Sequence, residues 1–131
     1  MQEHFKLVKD YLLEMGIPIV REDPAQEIVI VTDEDNGIKD MIIDCEDPIL
    51  VLEQAIMAVP DRPGDLFKRL LQMNRELVHG AFVLNQDGRL VLFRDTLQLE
   101  HLDRNELEAS IQALGLALVE FSAELLGYAK R

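Results

Sequence analysis

The chain has 131 residues, which is typical of one domain that can bury a core without disulfides, and its one cysteine, Cys45, cannot form an internal bridge. Its 13 basic and 25 acidic residues give a net charge of -12, which argues against nucleic acid as a partner, because Lys and Arg supply most of the affinity for phosphates. A charged N-terminus and the lack of an apolar run of roughly 18 residues argue against a signal peptide and a membrane span. We therefore expect one cytoplasmic domain over residues 1–131 with no membrane partner.

The first predicted helix covers residues 3–15, where apolar residues recur at helical spacing and Gly16 ends the pattern. Three strands are predicted after it, over 27–32, 38–45 and 49–59, joined by the turn sequences "DEDNG" and "EDP". The third segment could also form a helix, but its branched aliphatic residues directly after a turn favour a strand.

Acidic residues are concentrated in the segment 22–53, which contains eleven carboxylates against Lys39 alone and so carries -10 of the net charge. Two groups of them fall in predicted turns and define an acidic patch: Asp33, Glu34, Asp35, Glu46 and Asp47. This patch is either a solvated surface that resists aggregation or a docking surface for a basic partner.

A second helix is predicted from Asp61, whose carboxylate can cap the first turn, with Pro63 inside that turn and Gly80 after the helix. Its buried row consists of Leu66, Leu70, Met73 and Leu77. Asn74, near the end of this helix, either bonds neighbouring backbone or contacts a partner, and the first role is favoured.

The segment 81–94, "AFVLNQDGRLVLFR", indicates a hairpin whose strands are apolar on both faces. The helices of the chain can cover one face of a five-stranded sheet, so the second face has no cover of its own. We assign Leu90 and Leu92 to the core. The uncovered row is assigned to Val83, Val91 and Phe93. Because soluble monomers rarely expose such a patch, this row predicts a homodimer, with some apolar surface left for an extended client at a strand edge.

The last helix is predicted to begin at Asp103, which fits a capping box together with Glu106. Its apolar residues alternate in spacings of four and three, at Leu107, Ile111, Leu114, Leu118, Phe121, Leu125 and Tyr128. This row is either a stripe that faces the domain's own sheet or, from Leu107 to Phe121, a seam for a partner or a second copy.

Motifs for catalysis, cofactors or metals are weak throughout the sequence. "RPGD" lacks the second glycine and the lysine of a phosphate loop, and "DEDNGI" lacks the glycine that a calcium loop requires. His4, His79 and His101 are distant in sequence from one another and from Cys45, which is interpreted as a small core residue. We therefore predict a protein that is not an enzyme and has no catalytic, cofactor-binding or metal site.

The order of these elements resembles that of the YbjN family, described as bacterial sensory transduction regulators and similar in fold to the class I type III secretion chaperones, such as the Tir chaperone. The resemblance is strongest in residues 66–114, "LFKRLLQMNRELVHGAFVLNQDGRLVLFRDTLQLEHLDRNELEASIQAL". The helix ending in "LLQMN", the hairpin with its Asp-Gly turn and the "LDRNEL" start of the last helix carry it. The resemblance implies an α+β fold in the order α-β-β-β-α-β-β-α, with an antiparallel sheet packed on helices.

Chaperones of this kind are implied to be homodimers that hold an extended stretch of an effector on apolar patches, without catalysis or ATP. The resemblance therefore predicts a dimeric, non-enzymatic protein-binding module for an unknown client. The alternative is a bacterial signalling or regulatory adaptor that uses the acidic segment 22–53. An enzyme or a small-ligand binder is a third interpretation, which a deep pocket with converging polar groups would favour.

Overall fold

The computed structural model describes residues 2–131, which form three α-helices, six strands and one short 3-10 helix. In chain order these are α1 (Gln2–Glu14), β1 (Ile19–Asp23), β2 (Ile28–Asp33), the 3-10 helix (Glu34–Asn36), β3 (Ile38–Glu46), β4 (Ile49–Ala58), α2 (Leu66–Asn74), β5 (Ala81–Leu84), β6 (Leu90–Gln98) and α3 (Arg104–Ala129). The strands form one antiparallel sheet in the order β1-β2-β3-β4-β6-β5. The predicted α+β class and the predicted succession of helix, meander, helix, hairpin and helix are confirmed.

The strand β1 is an addition to the predicted order, and it makes the sheet six-stranded rather than five-stranded. Its sequence "IVRED" is apolar only at its first two residues, so it has no alternating pattern to identify it. Within the described chain it pairs with β2 alone and forms an edge of the sheet. Charged residues are tolerated at an edge because they discourage association with other strands.

The N-cap of the second helix lies four residues later than predicted, at Asp65 and not at Asp61. The residue before Asp65, Gly64, has a φ of 58°, a left-handed backbone conformation that a helix cannot contain. Pro63 therefore belongs to the preceding turn, and Leu77 lies beyond the end of α2. The third helix begins where predicted: Asp103 accepts a hydrogen bond from the Glu106 backbone N–H at 2.8 Å and completes a capping box.

One face of the sheet is covered by the three helices, and we call it the covered face. Register places Val29 opposite Ile43 and Ile43 opposite Leu52, so these side chains point to the same side. They belong to a single core cluster to which all three helices contribute. The helical contributors include Val8 and Leu12 from α1, Leu66 and Leu70 from α2, and Leu107, Ile111 and Leu114 from α3.

Among residues 2–131 no helix packs on the other face of the sheet, and we call it the open face. Register places Ile30, Ile42 and Glu53 in line across β2, β3 and β4, on the side opposite to the core. Eight aliphatic residues of this face lie outside the core cluster: Ile28, Ile30, Ile42, Ile49, Val51, Val83, Leu90 and Leu92. The chain therefore builds one complete core and leaves a second apolar surface without cover of its own.

Candidate protein-binding surfaces

The open face carries apolar side chains that lie outside the core cluster. It runs across five strands, from Ile28 and Ile30 on β2 to Val83 on β5. Ile42 is 42% exposed at its centre, whereas Val51 is buried by its neighbours in the sheet. At the β1 end a hollow of about 360 Å³ is lined by three isoleucines, Ile28, Ile30 and Ile42, and by three charged residues of β1, Arg21, Glu22 and Asp23. Such a surface can accept apolar side chains of another polypeptide.

The predicted assignment of the hairpin rows to the two faces is wrong. Val91 and Phe93, assigned to the uncovered row, are 0% and 2% exposed in the core beneath the helices. The register of β6 on β4 explains the result, because Phe93 lies opposite Gln54, on the core side of the sheet. Phe82 pairs with Phe93, and the two rings pack edge to face at 5.5 Å. Val83 pairs instead with Leu92, and both are half-buried on the open face. An uncovered face exists, but it is the one that carries Leu90 and Leu92.

The predicted row of α3 lies against the sheet and is a core stripe, so the interpretation of this row as a seam for a partner is wrong. Leu107, Ile111, Leu114 and Phe121 are buried in the core cluster, and Leu118 is half-buried at its border. A second apolar row on α3 was not predicted and is exposed to solvent. We call it the outer stripe, and it consists of Leu116, Val119, Ala123 and Leu126. Its spacings of three, four and three residues were available in the sequence as a signal.

The length and apolar composition of α3 would also allow it to cross a membrane. Of the qualifying segment 39% is buried inside the protein, and the core helices of other proteins pass the same test. The presence of two apolar rows on one helix accounts for the high hydropathy. We therefore interpret α3 as a core helix with an additional outer contact surface.

Carboxylates lie among the aliphatic residues of the open face. Burial, followed by the charges of Glu46 and Glu53, raises the pKa of Asp44 to about 6. Glu53 is paired with Arg94 across the sheet at 3.4 Å. The centre of the open face is thus apolar but carries negative charge at neutral pH, which favours a partner that brings positive charge.

The acidic patch is divided between two ends of the molecule. Asp33, Glu34 and Asp35 lie at the 3-10 helix before β3, and Glu46 and Asp47 lie at the turn after β3. A strand of nine residues separates the two groups by roughly 27 Å. The structure does not bring these five carboxylates together into one surface.

The β5 edge of the sheet carries a separate group of exposed apolar side chains: Phe67 and Leu71 on α2, Val78 in the loop after it, and Leu84 on β5. Asn74 joins α2 to this edge, because its side chain accepts a hydrogen bond from the Phe82 N–H at 2.7 Å and donates one to the Phe82 carbonyl at 3.1 Å. The favoured role of Asn74, bonding nearby backbone, is confirmed. A strand that added to β5 would have to displace these two hydrogen bonds.

Comparison with solved structures gives several similar folds at low sequence identity. YbjN from E. coli matches with a TM-score of 0.70 and 13% identity over 92% of each chain. A chain of the HopA1-SchA chaperone-effector complex matches with a TM-score of 0.65 and 14% identity over 99% of this chain and 96% of the other. A chain of the Yersinia pestis complex between the type III secretion chaperone SycH and a fragment of YscM2 matches with a TM-score of 0.61 and 14% identity, over 88% of this chain and 98% of the other. At these identities the likenesses establish a chaperone-like fold.

The family is established from the sequence itself. The family model CesT_Tir_1, a type III chaperone family, matches residues 1–131, and the chain belongs to this family. A search of curated proteins found no matching relative. The resemblance inferred from residues 66–114, to YbjN and to the secretion chaperones, is confirmed.

Proposed function

We propose that the protein is a homodimeric, non-enzymatic, cytoplasmic chaperone of a bacterium that holds a partner polypeptide on its open face. The observation that carries this proposal is the set of eight aliphatic residues on that face, none of which joins the core cluster. Membership of a chaperone family supports a role in binding a protein partner. Similar folds occur in chaperone-effector complexes, which favours a polypeptide as the occupant.

The partner is proposed to be an extended segment with apolar side chains at alternate positions. Alternation in an added strand presents every second side chain to one face, which suits the hollow formed by Ile28, Ile30 and Ile42 beside β1. The outer edge of β1 has no partner strand among the described residues. The β5 edge is less suitable, because Asn74 already bonds the Phe82 peptide groups there.

The homodimer is proposed to form through α2 and β5. Phe67, Leu71 and Leu84 are exposed on these two elements, which pack against each other. A two-fold contact would bring this patch onto itself. Apposition of two open faces is less favourable, because it would bury the Asp44 carboxylates of both copies in the same interface.

A non-enzymatic role is supported by the surroundings of the candidate nucleophile. Burial, followed by the charges of Glu27 and Asp44, raises the pKa of the Cys45 thiol to about 12, so little thiolate forms at neutral pH. His79 and His101 are exposed side chains, and among the described residues no cluster of His, Cys, Asp and Glu could hold a metal ion. Turnover of an ester, phosphate or nucleotide substrate that is lost on Cys45→Ala or His79→Ala would contradict the proposal.

The proposed function is tested with immobilised protein and an extract of the native cell. The wild type should retain a specific polypeptide that resists salt, and the open-face variant Ile42→Gln/Leu92→Gln should not retain it, because amide side chains remove the apolar contact. Leu13→Gln, on the exposed side of α1, is the matched control. Retention of the same polypeptide by the open-face variant would contradict the assignment of the client to this face.

The dimer is tested separately by sedimentation. The variant Phe67→Glu/Leu71→Glu should give a folded monomer, because both side chains are exposed and outside the core. A dimer of unchanged stability in this variant would show that the contact lies elsewhere.

A regulatory adaptor that uses the acidic segment as one docking surface is the weaker candidate. The two acidic groups lie at opposite ends of β3, so one basic surface would have to span both of them. Capture of a basic partner that is released by salt and is indifferent to the open-face variant would favour it.

A further inference from the structure

The outer stripe of α3 is the apolar feature that the proposed client site and dimer contact do not use. Leu116 and Val119 are 72% and 86% exposed, and Leu126 continues the row toward the end of the helix. A helix that packs on one side only normally presents polar residues to solvent on the other. This exposed apolar row is therefore a second candidate surface for contact with another polypeptide.

A groove runs along this stripe because the 3-10 helix is held close to α3. A Cβ atom on Gly115 would lie 2.9 Å from the Asn36 carbonyl oxygen, so only glycine permits this approach. Asn36 in turn donates a side-chain hydrogen bond of 2.7 Å to Asp33, which stabilises the turn. The groove has a volume of about 530 Å³ and is lined on the helix side by Leu116, Leu118 and Val119.

The wall opposite α3 is acidic. Asp35 lines the groove, and Asp33 and Glu34 lie in the same turn. In residues 2–131 none of these three carboxylates takes part in an ion pair. Lys39 is the basic residue of this region and lines an adjoining hollow beyond Leu118. The groove therefore combines an apolar helix side with one carboxylate, Asp35, on the opposite side, and two more carboxylates lie in the same turn beside it.

We propose that this groove docks an amphipathic helical segment of the client, whose apolar residues contact Leu116 and Val119 and whose Lys or Arg residues face Glu34 and Asp35. The inference rests on the proposed protein-binding function and gives that function a second contact surface of stated chemistry. The groove flank formed by α3 from Gln112 to Ser122 is about 15 Å long, which accommodates three turns of a helix. Apolar contact supplies affinity, and charge complementarity selects a basic partner.

A second copy of the chain is a poorer occupant of the groove. Its own outer stripe is flanked by Glu120 and by the same acidic turn, so self-association here would bring like charges together without a basic counterpart. The acidic turn thus acts against self-pairing and in favour of a positively charged partner.

The test uses the full chain and a labelled peptide of about 18 residues composed of Leu and Lys, with leucines at helical positions i, i+3, i+4 and i+7. One matched peptide has Glu in place of Lys, and another has the same Leu and Lys composition in an order without an apolar face. Fluorescence anisotropy should show that the amphipathic Leu-Lys peptide binds at least about tenfold more tightly than either. Equal binding of the three peptides would overturn the proposal.

The site is located with matched variants of the chain. Leu116→Gln/Val119→Gln should weaken binding of the Leu-Lys peptide by about tenfold or more, since Gln keeps helix propensity but removes the apolar contact. Leu13→Gln/Val78→Gln changes equally exposed apolar residues elsewhere and should alter binding less than about twofold.

The acidic wall is tested with Glu34→Gln/Asp35→Asn, which leaves the hydrogen-bonded Asp33 in place. This variant should bind about threefold more weakly at low salt and no differently from the wild type at high salt. Asp10→Asn/Glu76→Gln has the same net charge and should bind as the wild type does.

Three results would overturn the proposal; the first two leave the proposed function standing, and the third would also contradict the proposed dimer contact of α2 and β5. The first is wild-type binding of the peptide by Leu116→Gln/Val119→Gln. The second is loss of peptide binding only in the open-face variant Ile42→Gln/Leu92→Gln, which would place the peptide on the sheet. The third is conversion of a dimer to a monomer by Leu116→Gln/Val119→Gln in sedimentation, which would assign the groove to a second copy.

Discussion

The two faces of the sheet have similar composition and different surroundings. Ile42 and Ile43 are neighbours on β3 and point to opposite sides, yet Ile43 is fully buried beneath the helices and Ile42 is 42% exposed. Apolar character alone therefore does not identify a core residue. One face is completed by contacts within the chain, and we assign the other to contacts with another chain.

The largest effect is expected from charges placed on the covered face of the hairpin. Val91→Asp/Phe93→Lys should unfold the protein, because two buried apolar side chains become unpaired charges, at a cost of about 5 kcal/mol or more. Leu90→Asp/Leu92→Lys is the matched pair on the open face and should remain folded. Circular dichroism measures whether each variant is folded. A folded Val91→Asp/Phe93→Lys protein would contradict the assignment of these two residues to the core.

The adjacent isoleucines give the most direct measurement of the difference between the faces. Ile43→Ala should lower the free energy of unfolding by about 3 kcal/mol, because it leaves a cavity in the core. Ile42→Ala should lower it by less than about 1 kcal/mol. Urea denaturation measures both values, and equal losses would mean that the open face is as well packed as the core.

Asn74 tests how much the contact between helix α2 and strand β5 stabilises the protein. Asn74→Ala removes both hydrogen bonds to Phe82 and should lower the free energy of unfolding by about 2 kcal/mol, because a half-buried peptide N–H and C=O lose their partners. Asn105→Ala, at an exposed position of α3, is the control. A loss no greater than that of the control would show that water replaces the Asn74 side chain.

Asp44 provides a pH-dependent test of the open face. Its pKa is raised to about 6, so the folded state binds the proton more tightly than the unfolded state, whose pKa is near 3.8. Stability should therefore fall as the pH rises from about 4 to about 6 and stay lower above it. Asp44→Asn should remove this fall and raise the free energy of unfolding near neutral pH by about 1 kcal/mol, since solvent screens part of the interaction.

Urea midpoints measured from about pH 4 to about pH 8 check this expectation. Asp10→Asn, on the exposed side of α1, is the control for a carboxylate outside the sheet. An unchanged pH profile in Asp44→Asn would mean that a partner or another group neutralises this carboxylate.

The smallest effect is expected from the exposed acidic residues at the two ends of β3. Glu34→Gln/Asp35→Asn/Glu46→Gln should raise the melting temperature by a few degrees at low salt, because it relieves repulsion among exposed carboxylates. The wild type should gain similarly between low and physiological ionic strength. If neither change raises the melting temperature, these charges are compensated by contacts not yet identified.

Local structure could be predicted from the sequence wherever residues close together in the chain form a recognisable pattern. The helical spacing before Gly16, the capping box at Asp103 and the alternation in β3 each predicted the element that the structure contains. For Asn74 the sequence predicted a bond to backbone near the helix end, and tertiary packing of α2 on β5 supplied Phe82 as the partner. The family resemblance in residues 66–114 rests on these local patterns and on their order.

Which apolar face of the sheet the helices cover depends on tertiary packing and could not be read from the sequence. Alternation separates the residues of the hairpin into two rows, but it does not specify which row faces the helices, because both rows are apolar and a shift of one residue exchanges them. The pairing of β6 with β4 fixed that choice, because it places Phe93 opposite Gln54, on the same side of the sheet as the core residue Leu52. The two rows of α3 presented the same ambiguity: both have the spacing of a buried stripe, and only packing against the sheet distinguishes Leu114 from Leu116. The edge strand β1 was decided in the same way, since its pairing with β2, and not its own sequence, makes it a strand.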